Sequence, residues 1–102
     1  MAEIIINKEN FESEVLKEEK TVLLDFWATW CGPCRMLGST IAEIAEERPD
    51  IKVGKVNVDE EPELADAFRV SSIPMLVVMK KGVVEDVAVG LRPKESILAM
   101  IK

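Results

Sequence analysis

An α/β domain with a mixed sheet is the fold class the sequence predicts, and three observations carry it. Strand-like and helix-like patterns alternate through the first two thirds of the chain, residues 21–28 are apolar on both alternating faces, and two strand-like runs joined through Lys80-Lys81-Gly82 precede a final helix. The alternation implies βαβ units, and the short connection at Lys80 to Gly82 implies an antiparallel hairpin. Helices then cover both faces of one sheet.

In chain order, residues 4–6 form a short strand, and Asn7 offers a side-chain cap to a helix carrying Phe11, Val15 and Leu16 at helical spacing. Residues 21–28 read as a central strand buried on both sides, interrupted only by Asp25. Met36, Leu37, Ile41, Ile44 and Ala45 mark the longest helix, which Pro49-Asp50 ends. Residues 51–58 form the next strand. Glu61-Pro62-Glu63 opens a short helix through Phe68, its first turn holding the acids and proline that suit a helix start. Residues 75–79 and 83–89 are the hairpin strands, and residues 93–101, with Ile97, Leu98 and Ile101 apolar, are the closing helix. No linker, repeat or low-complexity tract interrupts this series, so residues 1–102 are expected to form one domain.

Composition excludes several function classes. A chain of 102 residues, 48% of them hydrophobic, can bury roughly 65% of its unfolded surface without disulfide or metal staples. Its two cysteines are therefore available for chemistry. Thirteen basic against nineteen acidic residues give a net charge of -6, which opposes binding to nucleic acid. No apolar run approaches the roughly 18 residues of a membrane span. The first residues lack the basic region and long apolar stretch of a signal peptide, and a cytoplasmic protein is expected. Histidine is absent, which removes Ser-His and Cys-His nucleophiles and the commonest zinc ligand. Any base must be a carboxylate or a lysine.

Cys31-Gly32-Pro33-Cys34 stands where a strand and loop turn into the longest helix. Side chains three apart on a helical turn have Cβ atoms roughly 5–6 Å apart, slightly wider than the spacing of a disulfide. A small local adjustment therefore closes or opens the bond. So short a loop removes little unfolded-state entropy when it is cross-linked, which favours reversible oxidation over a stabilising role. Cys31, at the helix start, meets unpaired backbone N–H groups and the positive end of the helix dipole, both favouring a thiolate nucleophile. Cys34, one turn further, leans back toward the protein, is expected to be buried, and would attack second. Two plainer readings stand beside this one: half of a zinc site, which lacks the other ligands, and a static disulfide or inert core thiols.

The run Trp27-Ala28-Thr29-Trp30-Cys31-Gly32-Pro33-Cys34 resembles the thioredoxin family, and the likeness extends over nearly all of the chain. It takes in Asp25 in Asp-Phe-Trp-Ala, Lys55 in Lys-Val-Asn-Val-Asp, Ile73-Pro74, Lys81-Gly82 and Val89-Gly90. The resemblance implies a central five-stranded mixed sheet flanked by four helices, with Pro74 in cis facing the cysteine pair. It implies a protein-disulfide reductase: Cys31 attacks a client disulfide, and Cys34 resolves the mixed disulfide. A thioredoxin reductase restores the dithiol, and no cofactor or metal is bound. Electron transport and cell redox homeostasis are the roles that follow, with client proteins as partners and a monomer as the working unit. A client-dedicated oxidoreductase and a non-catalytic interaction module remain as alternatives.

Resemblance and physics together assign the remaining residues. Asp25, a carboxylate in an apolar strand, should be hard to ionise and could accept the proton of Cys34; Lys55, if paired beside it, would partly offset that effect. At a wet strand end Asp25 would be ordinary, with the Lys55 amine in solvent. Trp30, Gly32, Pro33, Ile73, Gly90 and Leu91 are implied to form an apolar rim for an extended client segment, with Trp27 as support beneath. The plainer alternative is that Trp30 and Ile73 are ordinary core residues. Gly38-Ser39 stands where many relatives have Ala-Pro, so the mid-helix kink is expected to be weaker or differently made. Met75 stands where the family often has Thr, placing a thioether near the client groove by expectation.

Overall fold

The central strand of the sheet is set by burial on both faces. Residues Thr21–Trp27 (here β2) carry the run Thr-Val-Leu-Leu-Asp-Phe-Trp, of which all but Trp27 are buried. In the computed structural model, which describes residues 2–101, β2 lies between Ile51–Asn57 (β3) and Met75–Lys80 (β4). Ile4–Ile5 (β1) and Val83–Val89 (β5) complete one five-stranded sheet in the order β1-β3-β2-β4-β5. β1, β3 and β2 run parallel; β4 and β5 are antiparallel to their neighbours.

Side-chain alternation divides the core into two layers. On one face Leu23, Val53, Leu76 and Val78 pack against Leu37, Ile41, Ile44 and Ala45 of the helix Gly32–Glu47 (α1) and Ile97 and Met100 of Lys94–Met100 (α3). On the other face Val22, Leu24, Phe26, Val56 and Val77 meet Val15 and Leu64, the latter on Pro62–Ala67 (α2). Asp25 and Trp27 follow Leu23 at steps of two, so they belong to the α1 face. Phe68 edges against Phe11 and tilts over Phe26, with centroids at 5.8 and 5.2 Å. Gly54 is required on β3 where the Ile6 side chain, just after β1, packs against its backbone. A Cβ there would lie 2.6 Å from Ile6 Cγ1.

The hairpin turn is tighter than the three-residue connection expected. β4 continues through Lys80, leaving Lys81 and Gly82 with φ of 50° and 80°, the positive φ at both central residues that a type I′ turn demands. Further along, the register slips beside Val78 and Met79, which leaves Glu85 as the extra residue of a bulge on the edge strand.

The first helix differs from expectation in type. Residues Glu12–Leu16 form a π-helical turn in which the Lys17 amide donates to the Glu12 carbonyl at 3.0 Å. The Lys52 ammonium, reaching from β3, takes the Glu14 carbonyl at 3.1 Å and the Glu14 carboxylate at 2.8 Å, which ties the turn to the sheet. Asn7 caps the turn at residues 8–10 that leads into this helix. Its Oδ1 accepts from the Asn10 amide at 2.8 Å while Asn10 Oδ1 accepts from the Asn7 amide at 2.8 Å, so the two side chains close a turn before the helix begins. The other helices stand as expected, and with this turn there are four around the sheet among the described residues.

Candidate functional site

Cys31 is the N-cap of α1, with φ -94° and ψ 110°, and Pro33 occupies the first turn, where its missing N–H leaves no helical bond unmade. The Cys31 sulfur accepts a hydrogen bond from the Cys34 amide at 3.2 Å. This is the environment that favours negative charge on the first sulfur, since an otherwise unpaired amide and the helix dipole both point at it. Cys31 and Cys34 lie at disulfide distance with Cα atoms 5.2 Å apart. Cys31 is 6% exposed and Cys34 1%, so both are buried and the capping residue is the slightly more accessible one. Both pack with Ala28, against Trp27, Val58 and Ile73.

On the sheet beneath α1, Asp25 of β2 stands directly opposite Lys55 of β3. Asp25 has no exposed surface, and neither carboxylate oxygen has a hydrogen-bond partner. The Lys55 ammonium is 3.6 Å from Asp25 Oδ2 and 4.8 Å from the centre of the Trp27 ring. Burial pushes the Asp25 carboxyl up to about 6, against a smaller pull downward from the Lys55 charge. Asp25 at a wet strand end is thereby excluded. The Lys55 side chain is 22% exposed, so the pair joins a fully buried carboxylate to a partly buried lysine.

The rim residues divide by exposure. Trp30 is 68% exposed and is not a core residue; its indole Nε1 donates to Asp59 Oδ2 at 2.8 Å. Pro33 and Leu91 are also exposed, while Gly32, Ile73 and Gly90 are half-buried. The Ile73–Pro74 bond is cis, Pro74 is buried, and the Gly90 amide donates to the Pro74 carbonyl at 2.9 Å. That bond brings Gly90, with its φ of 100°, beside the proline segment.

Two residues outside the sequence-derived set hold the loop before Cys31. Asp59 fixes the Trp30 ring, and Arg35 of α1 donates from Nη1 to the Thr29 carbonyl at 2.9 Å. The signal for Asp59 is only that an exposed indole N–H seeks an acceptor; the sequence does not say which of nineteen acids supplies it. Met75 corrects another expectation. It is 6% exposed within the layer containing Phe26 and Val56, so its thioether fills the core on the face away from α1 instead of lining a client groove. α1 itself runs unbroken through Gly38-Ser39.

A thiolate-favouring N-cap cysteine, a second cysteine one turn on, and a mixed sheet of this order define an α/β thiol–disulfide oxidoreductase. Comparison with known proteins agrees: the thioredoxin family model matches residues 2–102, and the chain belongs to the thioredoxin family. A thioredoxin of Listeria monocytogenes is 48% identical over 93 residues, covering 90% of this chain and 88% of that protein. A thioredoxin of Rickettsia bellii is 43% identical over 97 residues, covering 94% and 92%. One of Chlorobaculum thiosulfatiphilum is 44% identical over 93 residues, covering 90% and 86%. Protein-disulfide reduction is the function this membership supports, with a thioredoxin reductase and disulfide-bearing clients as partners in general. Among the described residues no helix is long and apolar enough to cross a membrane, and no three metal-ligating side chains converge.

Proposed function

We propose that Cys31 is the nucleophile and Cys34 the resolving thiol of a reductase that works as one cytoplasmic, monomeric domain without a bound cofactor, receiving electrons from a thioredoxin reductase. The Cys31 thiolate attacks a client disulfide, forming one sulfur–sulfur bond and expelling one client thiolate. Cys34 gives its proton to Asp25 and attacks Cys31; the Cys31–client bond breaks, the second client sulfur leaves as a thiolate, and the Cys31–Cys34 disulfide remains. Lys55 tunes Asp25 through its charge. Trp30, Gly32, Pro33, Ile73, Gly90 and Leu91 receive the client segment beside Pro74. The observation that carries this reading is the Cys34 amide donating to the Cys31 sulfur, because it makes the two thiols chemically unlike.

The test is insulin reduction coupled to a panel of reductases, run with Cys31→Ser and Cys34→Ser. The Cys34→Ser variant should accumulate a stable mixed disulfide through Cys31, and Cys31→Ser should form none. Equal trapping by the two variants would overturn the assignment.

A further inference from the structure

Met36 is an apolar side chain that the core does not use. The buried stripe of α1 is Cys34, Leu37, Ile41, Ile44 and Ala45, and Met36, one residue ahead of Leu37 and so about 100° round the helix, stands outside it. Its place in the apolar period of the sequence suggests a core position, yet it is 65% exposed and joins none of the three apolar clusters among the described residues. Single exposed apolar residues are ordinary. This one is set apart by where it stands and by the chemistry of its sulfur.

Pro33 lies three residues before Met36 and Gly32 four, so all three share one side of the first turns of α1. Helical side chains lean toward the N-terminus and cover the turn before their own Cα, which directs the thioether toward Gly32, Pro33 and the cysteine end of the helix. The space there is open: a Cβ built on Gly32 would meet no atom within 4 Å, and Pro33 is exposed. Arg35, the charged neighbour, is drawn back to the Thr29 carbonyl at 2.9 Å. With Trp30 exposed just before Cys31, apolar surface runs from the indole across Pro33 to Met36. Met75, Met79 and Met100 are buried, and in the disulfide state both cysteines are bonded to each other and buried as well. Met36 is thus the one sulfur-bearing residue left exposed to solvent among the described residues.

We propose that Met36 is a client-binding residue and a reversible oxidation site: as a thioether it extends the rim along α1 and packs on an apolar side chain of the client segment, and as a sulfoxide it withdraws that contact and weakens docking. This rests on the client rim proposed above. The flexible thioether fits apolar side chains of many shapes, whereas the sulfoxide is polar and chiral. The oxidant is a hydroperoxide. Its O–O bond breaks as one oxygen atom bonds to the sulfur, which gives up two electrons, and hydrogen peroxide leaves as water. Methionine sulfoxide reductases reverse the step. The oxygen resides on Met36 and not on the cysteines, so thiol chemistry is kept while docking is lost.

Disulfide-state protein is treated with hydrogen peroxide, and peptide mapping by mass spectrometry locates the added oxygen. Met36 should gain it before Met75, Met79 and Met100; oxidation of the buried three at the same rate would overturn the site. The treated protein is then assayed with dithiothreitol as the donor, which reduces the cysteine pair and leaves the sulfoxide in place. For insulin, kcat/KM should fall by roughly threefold to tenfold, the equivalent of part of one buried methionine side chain, while 5,5′-dithiobis(2-nitrobenzoate), too small to span the rim, reacts as before. Methionine sulfoxide reductase should restore the insulin rate. Met36→Leu, apolar but not oxidisable, should show the same kcat/KM before and after peroxide, and Met36→Gln should be slow on insulin without any treatment. An oxygen on Met36 with an unchanged insulin rate overturns the proposal, as does equal loss in Met36→Leu, which would put the damage elsewhere. Trp30→Ala reports on the rim itself. If it slows insulin reduction and Met36→Gln does not, the rim stands without Met36; if neither does, rim and Met36 fall together.

Discussion

Replacing Asp25 by asparagine should make the protein more stable at neutral pH, by an amount that grows as pH rises. The carboxyl is lifted from 3.8 to about 6 because burial disfavours its charged form. Each unit is worth about 1.4 kcal/mol, so holding the carboxylate ionised in the folded state costs about 3 kcal/mol above pH 6. Below pH 3.8 folded and unfolded chains both hold the proton and the cost vanishes. Between 3.8 and 6 only the folded chain holds it, so native stability from this group falls with rising pH across that window and levels off above it. Asp25→Asn keeps the shape and cannot ionise. Urea denaturation of both oxidised proteins at intervals from pH 4 to 8 gives two stability curves in which the other acids titrate alike. Their difference should shift in favour of Asp25→Asn by roughly 2–3 kcal/mol over the range, whatever fixed penalty the buried amide adds. A pH-independent difference would refute the reasoning, and one of opposite sign would mean that Lys55 outweighs burial.

Three further outcomes follow from the packing and the rim. Gly54→Ala forces a methyl to within 2.6 Å of Ile6 and should destabilise by about 1–3 kcal/mol in thermal or urea unfolding; an unchanged midpoint would mean that β1 moves away freely. Met75→Thr should lose roughly 2–4 kcal/mol, since it removes volume from the core and buries a hydroxyl, yet leave the redox potential of the cysteine pair unchanged in glutathione titration. Asp59→Ala frees the Trp30 ring and should lower kcat/KM for protein disulfides by roughly threefold to tenfold with little loss of stability, while small-molecule disulfides react as before.

Legible in the amino-acid order alone were the succession of elements, the two-sided burial of β2, and a cysteine pair placed at a helix start. All of these are written in local pattern: periods of two and 3.6, a proline in a first helical turn, two cysteines three residues apart. The Asn7 cap is local and legible, whereas the contact of Lys52 with Glu14, 38 positions earlier, joins the first helix to β3 and is not. Tertiary structure alone decided that Asp25 faces Lys55 across a parallel pair, that Asp59 takes the Trp30 indole, and that Met75 turns into the core. Strand register and helix placement set these contacts. Because one step of register reverses every side chain between faces, no local spacing can specify which distant residues will meet.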